Sequence, residues 1–174
     1  MGAFFTVVWS SELIRPAVPA DVPALVGMVY ELAEFERELD KCHLTEEQLT
    51  AALFGADPRV FCHVAVSSDD LPVGMALWFL TYSTWEGTHG VYLEDLYVRP
   101  AARGTGAGKA LVATLAQVCV ERGYPRLEWA VLDWNPARTF YDALGAGPKS
   151  DWVPYRLSGA PLAALAAAQG AATS

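Results

Sequence analysis

Cysteine, histidine and positive charge are all scarce in this chain. Its 174 residues hold only three Cys and three His. Cys42, Cys62 and Cys119 are odd in number, widely spaced and without metal-ligand spacing, which argues against both a disulfide framework and a zinc site. They read as buried thiols of a reducing compartment. His43, His63 and His89 form no motif, and no metal is expected. Lys and Arg total 12 against 20 Asp and Glu, a formal net charge of −8. That balance disfavours nucleic acid bound through a basic face and favours a cationic partner, steered in by the field of the whole molecule. No apolar run approaches the roughly 20 residues a membrane span requires. The opening Met1–Ser10 lacks a basic n-region and a small-x-small cleavage site, so no secretory leader is read there. A cytoplasmic chain without membrane contact is the expectation. What is abundant is apolar: 53% hydrophobic residues and six Trp describe a folded globule. One domain is expected over residues 13–158, with an extension at 1–12 and an alanine-rich tail at 159–174.

Hydrophobic periodicity orders the elements. Leu13–Val18 reads as a strand, and Pro16 within it demands a sheet edge. Asp21 is a candidate N-cap for a helix whose stripe is Leu25, Met28, Val29, Leu32 and Phe35, running through Glu38. Thr45 with Gln48 forms a capping box for a short helix ending near Phe54. Phe61–Val66 and Val73–Tyr82 flank the polar turn Ser67–Asp70, a hairpin signal. Val91–Val98 is the next strand, then come a helix closed by Gly123, a strand at Leu127–Leu132, a helix capped by Asn135 and opened by Pro136, and a last strand at Trp152–Leu157. The order β-α-α-β-β-β-α-β-α-β builds a mixed sheet, antiparallel first, with a parallel crossover late. Residues from Ala160 on read as a loose helix or a frayed tail.

Between the strand Val91–Val98 and the following helix lies Arg103-Gly104-Thr105-Gly106-Ala107-Gly108-Lys109. Strand, glycine turn and helix N-terminus make an anion site, because the backbone can approach closely and unpaired N–H groups point outward. The phosphate loop of nucleotide triphosphatases does not fit: Arg103 stands where its first Gly belongs, and Ala110 replaces the hydroxyl that holds magnesium. The dinucleotide fingerprint fails on spacing, since the glycines fall at 104, 106 and 108, and Glu128 lies at the start rather than the end of the next strand.

The pattern Arg103-x-x-Gly106-x-Gly108 resembles the pyrophosphate turn of the GNAT N-acetyltransferases, which use acetyl-coenzyme A. Asp133-Trp134-Asn135-Pro136, Phe140-Tyr141 and Leu144-Gly145-Ala146 resemble the same family's second signature. Tyr92–Val98, Glu31–Glu36 and Leu44-Thr45-Glu46 are similar to the diamine (spermidine/spermine) and thialysine branch. The likeness runs from about Ile14 to Leu157. It implies the GNAT fold: α/β, with a mixed, mostly antiparallel twisted sheet of six to seven strands flanked by about four helices. It also implies a homodimer.

Acetyl transfer to an amine needs three services. An ammonium of pKa around 10 must lose a proton, the leaving thiolate (thiol pKa near 8.5) gains from an acid, and the developing oxyanion wants a fixed N–H donor. Strand backbone near Tyr97-Val98 is the candidate donor. Tyr141, less than two turns into its helix, is the candidate acid, in the role the resemblance implies; a core aromatic is the alternative. Glu94 and Asp95 are adjacent carboxylates in an apolar strand, and such groups usually have a partner or a task. Strand alternation sends them to opposite faces unless a bulge intervenes. The resemblance implies that bulge, with Glu94 as base through water and Asp95 on the substrate nitrogen. It also places Glu36, Trp85 and Glu86 along the amine channel, where carboxylates and an aromatic face suit a cation. Ser83 departs from the acid that polyamine enzymes carry there, which leaves room for thialysine, lysine-like or short diamine substrates. The coenzyme contacts are then Leu96, Tyr97, Val98, Arg103, Gly104, Thr105, Gly106, Ala107, Gly108, Lys109, Asn135, Arg138 and Tyr141. The activity expected is transfer of acetyl from acetyl-CoA to a primary amine of a small cationic molecule in a ternary complex. A protein or peptide N-acetyltransferase and a non-catalytic acyl-CoA sensor are the rivals.

Overall fold

A computed structural model describes residues 13–171; the expected extension at 1–12 and the last residues of the tail lie outside that range. The chain divides into two compact units, one ending at Ala130 and one beginning at Val131.

The first unit is built on a five-stranded sheet. Its elements are β1 (Ile14–Pro16), α1 (Val22–Phe35), α2 (Glu46–Phe54), β2 (Val60–Val66), β3 (Pro72–Ser83), β4 (Thr88–Val98), α3 (Ala107–Arg122) and β5 (Leu127–Trp129). Strand order equals chain order. Pairing is antiparallel from β1 to β4 and parallel between β4 and β5, with α3 as the crossover. Pro16 sits on the edge strand, where its missing N–H breaks no ladder. The mixed α/β class expected of the sequence is present, with fewer strands than the six to seven anticipated.

Local signals act as their chemistry dictates, with one exception. The Gln48 N–H donates to Thr45 Oγ1 at 3.2 Å, and the Thr45 N–H donates back to Gln48 Oε1 at 3.0 Å, which closes the capping box. Ser67 Oγ accepts from the N–H groups of Asp69 and Leu71 and shapes the β2–β3 turn. The exception is Asp21. Its carboxylate does not cap α1; it accepts from the Val18 N–H at 2.8 Å and from Arg15 at 2.7 and 3.1 Å. The nearby guanidinium won it away from the helix.

The core on one face of the sheet joins Val22, Leu25 and Met28 of α1 with Leu49 and Leu53 of α2 and with Cys62, Val64, Val66, Met75, Leu77 and Tyr97 of the strands. Each fully buried Leu or Met contributes roughly 1.5–3 kcal/mol. Helix α3 buries Leu111, Val112, Leu115 and Cys119 and contacts β2, β3 and β4. Cys62 and Cys119 are buried as expected; Cys42 is half-buried.

The second unit contains α4 (Ala137–Ala143) and α5 (Gly159–Ala171). The strand expected at Trp152–Leu157 is absent; that segment is irregular, and Tyr155 is 96% exposed. Pro154 at its centre has no N–H for a ladder. The expected strand Leu127–Leu132 is likewise limited to Leu127–Trp129. No helix among the described residues is long and apolar enough to cross a membrane.

Candidate active site

The glycine turn takes the shape its spacing called for. Gly104 (φ 74°) and Gly106 (φ 101°) both occupy the left-handed region, where a side chain would be strained. Gly106 is the N-cap of α3, and the Ala110 N–H closes on the Gly106 carbonyl at 2.9 Å. The N–H groups of Ala107, Gly108 and Lys109 therefore precede the first intrahelical bond and point along the positive end of the helix dipole. Arg103 is pinned at the root of the turn: its Nε donates to the Val98 carbonyl at 2.8 Å, and its guanidinium lies 5.4 Å from the Tyr97 ring centre. Lys109 is exposed on the first turn of α3. Thr105 Oγ1 donates to the Ala102 carbonyl at 2.6 Å, so this hydroxyl braces the turn. The donor set, backbone N–H groups with a tethered Arg and an exposed Lys, fits a pyrophosphate.

An ion pair absent from the sequence reading steadies the strand that feeds this turn. Arg99 reaches Glu31 of α1 at 3.2 Å and donates to the Pro72 carbonyl at the start of β3. Beyond Leu93 and Trp129, β5 no longer pairs with β4. Backbone groups of Glu94 to Val98 that point away from β3 thus border an open edge, with Leu96, Tyr97 and Val98 leading to the turn.

The acidic pair sits on a bulge. Leu77 pairs with Asp95 and Trp78 with Leu93, which leaves Glu94 as the extra residue. Asp95 shares its row with Leu77 and, one strand further, Cys62, so it faces the α1–α2 side. Leu93 lies on the other face, and the inserted Glu94 follows it onto the α1 side, so two successive carboxylates emerge together. Glu94 is exposed and Asp95 half-buried. Burial, then the charges of Glu94 and Glu36, push the Asp95 carboxyl up to about 6. Glu36, at the C-terminus of α1, is itself raised by burial and by Glu38. Among the described residues, three acids from two elements thus converge with no cation as their partner.

Trp85 and Glu86 are not part of that corner. They lie in the turn that opens β4, and Glu94 stands six residues further along the strand than Thr88, about 20 Å at 3.3 Å per residue. Trp85 is 87% exposed. Glu86 Oε2 lies 3.5 Å from Arg126 Nη1, and its N–H donates to Ser83 Oγ at 3.2 Å. Ser83 is buried, and its hydroxyl oxygen, by accepting that bond, shapes the turn. Arg126 also meets Glu128, with Nε 3.0 Å from Oε2 though its N–H is not aimed at that oxygen. Glu128, the lone charge in the apolar run of β5, is thereby explained. Gly90 has no side chain because a Cβ there would stand 2.6 Å from Arg126 Cγ. The two-residue spacing of Arg126 and Glu128, which puts both on one face, was the available sequence signal.

In the second unit Asn135 Oδ1 accepts from the Ala137 N–H at 2.9 Å, which caps α4 as expected. Arg138 Nη1 donates to the Asp133 carbonyl at 2.9 Å and braces the same corner. Tyr141 is half-buried beside Phe140, with ring centres 5.1 Å apart. Gly145 (φ 85°) ends the helix.

Residues 27–146 match the acetyltransferase (GNAT) family. A thialysine N-epsilon-acetyltransferase of Bos taurus is 38% identical over 165 residues, covering 88% of this chain and 96% of the relative. A protein of the same description from Mus musculus is 38% identical over 168 residues, covering 90% and 98%. Among solved structures, an integron cassette protein of V. cholerae superposes with a TM-score of 0.73 at 29% identity, covering 88% of this chain and 96% of that one. The chain belongs to the GNAT acetyltransferase family. It is an acetyl-CoA-dependent N-acetyltransferase.

Proposed function

We propose that this enzyme acetylates a primary amine of a small cationic molecule, a thialysine or lysine-like amino acid, a diamine or a polyamine, by direct attack within a ternary complex. The observation that carries the reading is the bulge at Glu94, which turns Glu94 and Asp95 to one face beside Glu36. Such a corner attracts an ammonium and accepts its proton. The relatives that act on thialysine support the substrate class, and the formal net charge of −8 favours a cation.

Each part of the chain then has a task. The Arg103–Lys109 turn holds the pyrophosphate through backbone N–H groups and cationic side chains. Bound acetyl-CoA supplies the acetyl group as an activated thioester. A backbone N–H near Tyr97-Val98 that points away from β3 would stabilise the charge that develops on the thioester oxygen. The Tyr141 hydroxyl protonates the leaving sulfur, and Asn135 and Arg138 hold the coenzyme, in the roles the family resemblance implies. Trp85 and Glu86 stand too far from Glu94 in one chain to share a short amine with it. Their place in the amine site requires a second copy, which is the homodimer the resemblance implies. The enzyme works in the cytoplasm.

The test is thiol release from acetyl-CoA with putrescine, spermidine, thialysine, lysine and a short peptide. Release with the small cations, falling about 100-fold or more in Tyr141→Phe, is expected. Release with the peptide alone, or tight coenzyme binding with no release for any amine, refutes the reading.

A further inference from the structure

The turn between β4 and α3 has little packing of its own. Gly104 and Gly106 hold positive φ, and a Cβ at Gly104 would meet nothing within 4 Å. Its shape therefore depends on how its root is tied. We propose that Glu31 of α1 is a positioning residue for the coenzyme: through Arg99 it fixes the root of the turn, and with it the N–H groups that receive the pyrophosphate. This role rests on the coenzyme site proposed above and deepens it.

The hydrogen bonds of the turn lead back to Arg99. Thr105 Oγ1 donates to the Ala102 carbonyl at 2.6 Å, and the Ala102 N–H donates to the Arg99 carbonyl at 2.9 Å. Arg99 in turn is anchored by backbone and side chain. Its N–H donates to the Val73 carbonyl at 2.9 Å, and its Nη1 donates to the Pro72 carbonyl at 3.3 Å. On the helix side, Nη2 and Nε reach Glu31 Oε1 at 3.2 and 3.3 Å. The guanidinium thus lies over the α1 face that carries Gly27 and Glu31, one turn apart. Glu31 also neighbours Tyr97, whose hydroxyl is raised by burial and then by that carboxylate. The Tyr97 ring in its turn carries the Arg103 guanidinium, 5.4 Å from its centre. Helix α1 therefore meets the turn at Arg99 and again at Tyr97, and Glu31 belongs to both contacts.

Two effects of Glu31 on the coenzyme have opposite signs. As a bare negative charge it repels a pyrophosphate, so its removal would tighten binding. As the anchor of Arg99 it strengthens binding, because donors fixed in advance need not be ordered when the anion arrives. The side chains of Arg99 and Glu31 are 36% and 38% exposed. Water and salt screen the bare charge at that exposure, which leaves positioning as the larger effect and keeps it modest.

The experiment is Glu31→Gln in the full chain, with coenzyme A binding followed by calorimetry and steady-state rates taken with acetyl-CoA and thialysine. The Kd of coenzyme A and the KM of acetyl-CoA should rise together, by about three- to tenfold, while kcat and the thialysine KM stay within about twofold. Arg99→Met should weaken coenzyme A by a similar factor. The double variant should be no worse than the worse single one, since both remove one contact. Glu31→Asp, which keeps the charge, should restore part of the affinity. An unchanged or lower Kd in Glu31→Gln overturns the positioning role, even where the urea midpoint falls. Arg103→Ala separates this role from the site it serves. Weaker coenzyme A in Arg103→Ala but not in Glu31→Gln leaves the turn as the coenzyme site and removes Glu31 from it. Unchanged binding in both overturns the coenzyme site as well.

Discussion

Asp21 and Asp95 are both aspartates set against the same core, and they are treated in opposite ways. Asp21 is 4% exposed. Burial alone would raise its pKa, but hydrogen bonds from Arg15 and the Val18 N–H outweigh that and hold the carboxyl below its usual range. Asp95 receives no such help; its charged neighbours are Glu94 and Glu36, and it is raised to about 6. The first carboxylate is satisfied and ties β1 to the start of α1. The second, among the described residues, sits beside two like charges in a corner built from a strand bulge and a helix end. The same fold neutralises one acid and leaves the other beside two like charges, which is where the proposed reading puts the cationic substrate.

The comparison is broken most strongly at Asp21. Asp21→Asn leaves Arg15 with the exposed Asp70 as its remaining carboxylate among the described residues, and should cost about 2–3 kcal/mol at pH 7. Because the folded pKa is depressed, the wild-type advantage is present above pH ~4 and fades as pH falls through the folded value. Urea midpoints at pH 7 and pH 3 check this; an equal loss at both would contradict it. A smaller effect is expected at Gly90, where Gly90→Ala forces Arg126 aside and should destabilise by roughly 1–3 kcal/mol. Pairing it with Arg126→Ala, which empties that space, should recover part of the loss.

The opposite sign is expected at Asp95. Its folded pKa is raised, so its contribution to stability is present below pH ~4 and is lost as pH rises through about 6. Asp95→Asn should therefore stabilise the fold by about 1–2 kcal/mol at pH 8 and change it little at pH 3.5. The smallest shift belongs to Glu36→Gln, a few tenths of a kcal/mol in the same direction at pH 8, since it removes only one repulsion.

Much of this was legible in the chain. Thr45 and Gln48 carry their cap in their own side chains, and the glycines at 104, 106 and 108 between a strand and a helix announce a turn, so local chemistry alone specified them. Alternation alone could not show the bulge, because it counts residues and cannot see one that is inserted; the family resemblance implied it, and the adjacent acids in an apolar strand were its trace in the residues themselves. Trp152–Leu157 misled because apolar and β-branched residues resemble a strand even where Pro154 denies the ladder a donor. Asp21 misled because its type and position are those of a cap, and only three-dimensional proximity reveals Arg15 as the competitor. Trp85 and Glu86 were placed along an amine channel by resemblance alone; nothing in their own residues showed how far along β4 they stand from Glu94.

The most direct measurement is made on a single variant. The urea midpoint and the rate of thialysine acetylation of Asp95→Asn, both at pH 8, should move in opposite directions: a more stable protein that turns over at least about 100-fold more slowly. A variant that is less stable and acetylates at the wild-type rate would show that Asp95 serves the fold and not the reaction.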